Sequence, residues 1–323
     1  MNISILLPYK ENFSPNYAGA VSLFVKDTVI NSKFRKSTFI FGNTNYKKKL
    51  LINYINLNLN KKFYQSGSKL YVDSFLSHEN KRKSDLIEIH NRPNYIKFLS
   101  QLNKSRLILY FHNDPLSMNG SKKIKERIYL VKNVDQIIFN SRWSKKRFFI
   151  GLDKVHIDFN KISVAYQSAS KVKINLKKKE NIISFIGKLN TAKGYDLFGT
   201  AVIKILNKYP QWKALVVGDE PREKHIFKHK NLKILGFKTH SYVLNMLKKI
   251  SISVVCSRWN EPFGRTSLEA ASRGCALIIS NKGGLPETTD YALILEKLSE
   301  KEIFDKIEYL IKNKKIRENF QNK

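Results

Sequence analysis

The chain has 323 residues, more than one compact core ordinarily holds, and its 42% hydrophobic content is ample for folding, so two domains of common size are expected. Its 59 Lys+Arg against 26 Asp+Glu give a formal net charge of +33, and no apolar run approaches the roughly 20 residues of a membrane span, which excludes a transmembrane protein. The basic excess is mainly lysine and runs from Lys10 to Lys323. Codon bias with weak attraction to an anionic membrane surface therefore explains it better than nucleic-acid recognition, and no nucleic-acid partner is expected.

The opening MNISILLPYKEN lacks the basic start and the long apolar run of a secretory signal and reads as a first buried strand. Short apolar runs then alternate with longer segments of helical period, the pattern of a parallel sheet covered by helices. In the first half the expected strands are NISILLPY, STFIFG, KLYVDSF, DLIEIH, RLILYFH, QIIFNS and ISVAYQ, with LINYINLNLN (51–60) as a further exposed one. SKKIKERIYLVKNV and SRWSKKRFF read as helices in which Lys and Arg face one way and apolar residues the other. Such helices suit an anionic lipid surface or simply a solvated face over a core.

ASKVKINLKKKEN (169–181) is charged and without apolar period, and reads as a linker with a boundary near Lys173. This gives domains 1–172 and 173–323. The second half offers NIISFIGKL, KALVVGD, LKILGF, ISISVVCS, CALIIS and YALIL. The fold class expected is α/β, with two Rossmann-like domains. Cys256 and Cys275 lie in or beside apolar strands, as free buried thiols of a reducing cytoplasm do.

Ligands of open parallel sheets sit beyond the carboxyl ends of strands. There, Glu261 stands on the loop after ISISVVCS and Glu269 in the second turn of the following helix, RTSLEAASR. Between them, Gly264 and the first N–H groups of the helix offer a phosphate seat, and carboxylates on either side suit sugar hydroxyls. A second reading of Glu269 is local, since Thr266-Ser267-Leu268-Glu269 has the form of a capping box. After NIISFIG, Lys188 and Lys193 place two positive charges between Gly187 and Gly194, where a diphosphate would depart. The loop 281–287, NKGGLPE, adds a Gly-rich turn.

The stretch EPFGRTSLEAASRGCALIISNKGGLPET, with the GK…KG loop and FNSRWSKKRF, resembles the signature of family-4 glycosyltransferases, retaining enzymes of the GT-B architecture in which two Rossmann-like domains face across a cleft. The resemblance implies a nucleotide-diphospho-sugar donor held by the second domain. Glu269 would bind ribose, Glu261 the donor sugar, and Phe263, Gly264, Arg265 and Thr266 the sugar and phosphates. Lys188 and Lys193 would stabilise the leaving diphosphate, with Lys at 188 in place of the commoner Arg, which keeps the charge without the bidentate fork. Phe237 and Lys238 would meet the base.

In the first domain, Gly19 matches the family's glycine turn near the donor phosphate, reduced here to one glycine, and His112 its histidine facing the donor sugar. His90, Asn91 and Arg92, at the end of the neighbouring strand, are expected to point toward the cleft. There is no Asp-x-Asp motif and no His/Cys cluster at ligand spacing, so metal-independent transfer without a cofactor is expected. The acceptor would be a saccharide or lipid-linked saccharide of a surface glycan such as lipopolysaccharide, and the enzyme would lie in the cytoplasm, on the inner face of the membrane. The chain stops at IRENFQNK, so a final helix crossing back to the first domain is expected to be lacking and the domains to be weakly coupled. The rival readings are a glycosidase using two carboxylates, a non-catalytic sugar-nucleotide sensor and a basic nucleic-acid-binding protein.

Overall fold

The computed structural model describes residues 1–59, 66–102, 104–152, 158–170 and 172–323. The chain divides into two compact units, Met1–Gln167 and Ser168–Lys323.

Unit 1 is built on seven strands: β1 (Ile3–Leu6), β2 (Thr38–Gly42), β3 (Tyr54–Asn56), β4 (Leu86–His90), β5 (Arg106–Phe111), β6 (Gln136–Phe139) and β7 (Ile162–Val164). All pair in parallel in the order β3-β2-β1-β4-β5-β6-β7. Most read as continuous apolar runs because helices cover both faces. The alternation of side chains sends Ile3, Ile5 and Leu7 into the layer under α1 (Ala20–Asn31), while Leu6 joins the layer under α2 (Gly67–Arg82), α3 (Ile96–Leu99), α4 (Ile124–Asn133) and α5 (Arg142–Phe149).

Unit 2 repeats the plan with β8 (Glu180–Ile186), β9 (Lys213–Val217), β10 (Leu232–Ile234), β11 (Ile250–Val255), β12 (Ala276–Ser280) and β13 (Ala292–Leu295), again parallel, in the order β10-β9-β8-β11-β12-β13. Its helices are α6 (Tyr195–Lys208), α7 (His240–Leu247), α8 (Arg265–Ala271), α9 (Glu300–Lys312) and α10 (Lys314–Asn322). Strand order reverses between β1 and β4 in unit 1 and between β8 and β11 in unit 2. Those are the places where loops part and a ligand site opens.

Two expectations change. KLYVDSF is not a strand but the first half of α2. Ser66 caps that helix, its hydroxyl accepting from Lys69 N, and Tyr71, Val72, Phe75 and Glu79 are buried at helical spacing. The neighbouring strand is β3, inside the Asn-rich alternation, of which residue 60 lies outside the described residues. The stretch 169–181, expected as a linker, is anchored to unit 2. Arg273 donates to the carbonyl and hydroxyl of Ser170 at 2.7 and 3.1 Å. Lys179 Nζ reaches the carbonyls of Leu247, Ile250 and Arg273 at 3.1, 2.8 and 2.7 Å. One of the charges that suggested a solvated tether, Lys179, thus bonds to main-chain carbonyls, and burial lowers its ammonium from its usual range. Lys171 lies outside the described residues.

No helix among the described residues is long and apolar enough to cross a membrane. Cys256 and Cys275 are buried free thiols, and burial pushes the Cys275 thiol up to about 11.

Candidate functional site

The loops after β8 and β11 leave the switch point of unit 2 side by side and are stitched together by backbone. The N–H groups of Arg258 and Trp259 both donate to the Ala192 carbonyl, at 2.9 and 3.0 Å. The Arg258 guanidinium then grips both oxygens of Asp196, in the first turn of α6, at 2.6 and 2.7 Å. Gly194 permits this closeness: it has φ +75°, and a Cβ there would stand 2.0 Å from the Cys256 carbonyl oxygen. The juxtaposition brings Lys193 and Glu261 into a direct ion pair, both side chains partly exposed. Lys188, at the start of the same loop, is exposed.

Glu261 is held from behind by the Gly-rich turn 281–287. Gly284 N donates to the Glu261 carbonyl at 2.6 Å, and residues 261 and 283 form an isolated parallel bridge. Gly283 adopts φ +64°, and a Cβ there would fall 2.2 Å from the Glu261 oxygen. We expect Gly283→Ala to lower stability by about 2–4 kcal/mol, the sum of a left-handed alanine and a backbone clash. Urea titration should show the midpoint falling with the slope unchanged.

Glu269 is the buried member of the pair of acids, 7% exposed. Its Oε1 accepts from Arg265 Nε at 2.6 Å and from His240 Nε2, on the first turn of α7, at 2.8 Å. Burial alone would raise this carboxyl. The His240 hydrogen bond and the Arg265 charge outweigh it and hold the group below the ordinary carboxylate range. The capping box is not formed. The N-cap of α8 is Gly264, without a side-chain cap bond, so Glu269 lies too deep in the helix to reach back to it. The hydroxyl of Ser267 instead pairs with that of Thr288 at 2.9 Å.

Phe263 is buried beneath the turn, while Arg265 and Thr266 begin α8. Phe237 and Lys238 follow β10, Phe237 exposed and Lys238 placing its ammonium over the Tyr242 ring at 5.5 Å. His240, two residues further on, links this loop to Glu269. The loop after β9 braces the lysine loop from the other side. Gly187 N donates to the Val217 carbonyl at 3.0 Å, Asn190 Nδ2 to Glu220 at 3.3 Å, and the Thr191 hydroxyl to Glu223 at 2.8 Å. Sequence reasoning missed Asp196, Arg258, Glu220, Glu223 and His240. Glu220 stood at the end of a recognised strand and was open to discovery by that rule. The Arg258–Asp196 pair spans 62 positions and left no local trace.

In unit 1, Gly19 is the N-cap of α1. The Glu11 carboxylate lies against it, accepting from the backbone N–H and hydroxyl of Ser22 at 3.1 and 3.0 Å. His90 and Asn91, expected to point toward the cleft, are buried and lie against His112. His90 Nδ1 lies 2.9 Å from His112 Nε2, and Asn91 Oδ1 accepts from the N–H groups of His112 and Asn113 at 3.0 and 3.1 Å. The physical reason is that β4 and β5 are adjacent and in register, so residues closing them face each other before they face solvent. Arg92 donates to the Asn91 carbonyl at 2.8 Å. Beside β7, α5 contributes Arg142, Lys145 and Lys146 to a pocket of about 690 Å³ with Phe149, Val164 and Tyr166. No group of three or more His, Cys, Asp or Glu able to hold a metal occurs among the described residues.

Residues 167–323 match the family model described as Glycosyl transferases group 1. Spore coat protein SA of Bacillus subtilis (strain 168) is 25% identical over 243 residues, 65% of this chain and 63% of that protein. The uncharacterized glycosyltransferase MJ1607 of Methanocaldococcus jannaschii is 27% identical over 176 residues, 52% of this chain and 42% of that one. The chain spans about three fifths of the length of the Bacillus subtilis relatives it matches. Among solved structures, Anabaena HepE in complex with UDP-glucose is similar with a TM-score of 0.73 at 15% identity, covering 99% of this chain and 92% of that one. The lipopolysaccharide outer core galactosyltransferase WaaB is similar with a TM-score of 0.68 at 16% identity, covering 99% and 94%. The second unit therefore resembles the group-1 glycosyltransferase model over its length, and the α/β fold of the two units is the fold of these glycosyltransferase structures.

Proposed function

We propose that this chain is a retaining, metal-independent glycosyltransferase that moves a hexose-type sugar from a nucleotide diphosphate to a saccharide or lipid-linked saccharide acceptor in surface glycan synthesis. The observation that carries the reading is the Lys193–Glu261 ion pair at the switch point of unit 2, beside the Gly264 turn and the Glu269–Arg265–His240 cluster. The group-1 match over that unit supports it, as do the UDP-glucose complex of HepE and the lipopolysaccharide substrate in the name of WaaB. A glycosidase would need its two acids open to the scissile bond. Here each acid is engaged by a cation of its own, Glu261 by Lys193 and Glu269 by Arg265.

In the mechanism we infer, the bond from the anomeric carbon to the diphosphate oxygen breaks while the acceptor oxygen bonds the same face of that carbon. The acceptor proton passes to the departing diphosphate, and no side-chain base is required. Lys193 and Lys188 neutralise the charge that grows on the leaving oxygen. Glu261 orients the donor sugar by accepting from its hydroxyls, and Glu269 does the same for ribose. The enzyme would work in the cytoplasm, with the basic faces of α4 and α5 drawing it to the inner, anionic face of the membrane.

The test is release of free nucleoside diphosphate across a panel of donors and acceptors. Wild type should release it from one donor class, and Glu261→Gln should do so roughly 10- to 100-fold more slowly, the worth of one charged hydrogen bond. Tight donor binding without release under any acceptor would sink the enzyme reading in favour of a sensor. Binding to nucleic acid with a steep salt slope and indifference to Glu261→Gln would favour the third reading.

A further inference from the structure

The loops that carry Glu261, Lys188 and Lys193 leave the carboxyl ends of β8 and β11. At the opposite ends of these two strands lies a cavity of about 650 Å³, formed within unit 2 by the segment 172–180 that leads into β8 and by the end of α7 that leads into β11. Seven of its described lining residues are Lys or Arg, and Glu180 is the one carboxylate among them. The whole chain has 59 basic residues to 26 acidic ones, so its general lysine excess does not account for this ratio.

The cations divide into two sets. Lys179 and Arg273 form the floor and are committed to the main chain, Lys179 Nζ to the carbonyls of Leu247, Ile250 and Arg273, and Arg273 to that of Ser170. Carbonyl oxygens that would repel an anion are thereby occupied, among them the one that ends α7, where a helix presents negative potential. The second set, Lys173, Lys177, Lys178, Lys248 and Lys249, is exposed. Lys249 meets Glu180 at 3.4 Å, and Lys248 donates to the neutral Asn245 side chain at 3.1 Å. Lys173, Lys177 and Lys178 have no carboxylate partner among the described residues. Backbone bonds hold two of these side by side: Lys177 N donates to Asn175 Oδ1 at 3.1 Å, and Lys178 N to the Asn175 carbonyl at 3.0 Å. Like charges gathered in this way repel one another and oppose the compact state until a counter-charge arrives.

Lysine ammonium groups act as point charges on flexible stems and suit phosphate oxygens without demanding one geometry. Val172 and Ile174 are the apolar part of the described lining, which holds no aromatic ring, so a nucleobase would have nothing to stack on. We propose that this cavity binds a phosphate polyanion, at a site separate from the loops assigned to the sugar-nucleotide donor. Free polyphosphate and the two-phosphate headgroup of cardiolipin both present that chemistry. The glycosyltransferase reading is not needed for it.

Calorimetric titration with inorganic triphosphate, at an ionic strength of about 0.15 M where charges more than about 8 Å apart are screened, should show one saturable site per chain. Sedimentation with vesicles of cardiolipin in phosphatidylcholine, against phosphatidylcholine alone, reads the lipid source. In whichever arm binds, Lys177→Glu/Lys178→Glu should weaken binding roughly 10- to 100-fold. Lys47→Glu/Lys48→Glu, an exposed pair in unit 1 with the same change of net charge, should leave it nearly unchanged. Without ligand the cavity variant should match or exceed the urea midpoint of wild type, because it relieves repulsion. Should charge reversal perturb the fold, Lys177→Gln/Lys178→Gln removes the charges without inverting them. A loss confined to the cavity variant supports the proposal, and the arm that shows it identifies the source. An equal or greater loss in the unit-1 variant, binding that the cavity variant retains, or no saturable binding in either arm would overturn it.

Discussion

Lys193→Ala is expected to reduce donor turnover by about 100- to 1000-fold, the range found when one preorganised donor to a developing negative charge is removed. The loss should fall on kcat, because the charge on the diphosphate oxygen grows as the bond breaks and Lys193 is worth more at that moment than in the ground state. Stability should change little. The pair with Glu261 is a loop contact with both partners partly exposed, and such pairs contribute about 1 kcal/mol or less. The loop itself is held by other atoms: Lys193 N donates to Asn190 Oδ1 at 3.0 Å, and Ala192 O accepts from two backbone N–H groups of the facing loop. Those bonds survive truncation of the side chain. Lys188→Ala should cost less, since its ammonium is exposed and acts through solvent. Steady-state release of nucleoside diphosphate and a urea midpoint on each variant check both halves. A Lys193→Ala enzyme with unchanged kcat would remove Lys193 from the leaving-group role.

The sheets were legible because parallel strands buried on both faces print themselves as unbroken apolar runs: ISIL, LIEIH, ALIIS and ISISVV each appear where expected. The failure at KLYVDSF has a specific cause. Its Leu, Tyr, Val and Phe satisfy a strand pattern over seven residues, and only the longer window, reaching Glu79 and the Ser66 cap, shows the period of 3.6. The site was half legible. Glu261, Lys188 and Lys193 lie on strand-to-helix loops, and Glu269 in the helix after one of them, places that chain order alone points to. Their partners do not, since Lys193 meets Glu261 across 68 positions and His240 meets Glu269 across 29. The cause is strand order: β8 and β11 are neighbours in the sheet although β9 and β10 separate them in sequence. No reading of spacing recovers a pairing set by that reversal. His90 and His112 illustrate the same point in unit 1, ending adjacent strands and lying 2.9 Å apart although 22 positions separate them.

Glu269→Ala is expected to destabilise the protein by about 3–5 kcal/mol, because it takes from Arg265 and His240 the buried acceptor they share. Glu269→Gln should cost markedly less, since an amide oxygen still accepts at the same place. The two variants separate fold from function. If the carboxylate also accepts from ribose hydroxyls, Glu269→Gln lowers donor affinity while the urea midpoint stays near that of wild type. If the residue only supports α8 and α7, affinity and stability fall together in both variants. Acid provides a third axis. Burial works against the charged form, yet the His240 hydrogen bond and the Arg265 charge leave the folded carboxyl below its ordinary value of 4.5. A group lowered on folding contributes stability that is complete above its unfolded value and declines as pH falls from there to the folded value. Wild type should therefore lose this contribution below about pH 4.5, whereas Glu269→Gln, which has no proton to gain, should lose none of it. On acidification wild type loses ground to Glu269→Gln if the network is charged, whereas it would gain ground down to about pH 4.5 if Glu269 were already protonated in the folded state at neutral pH.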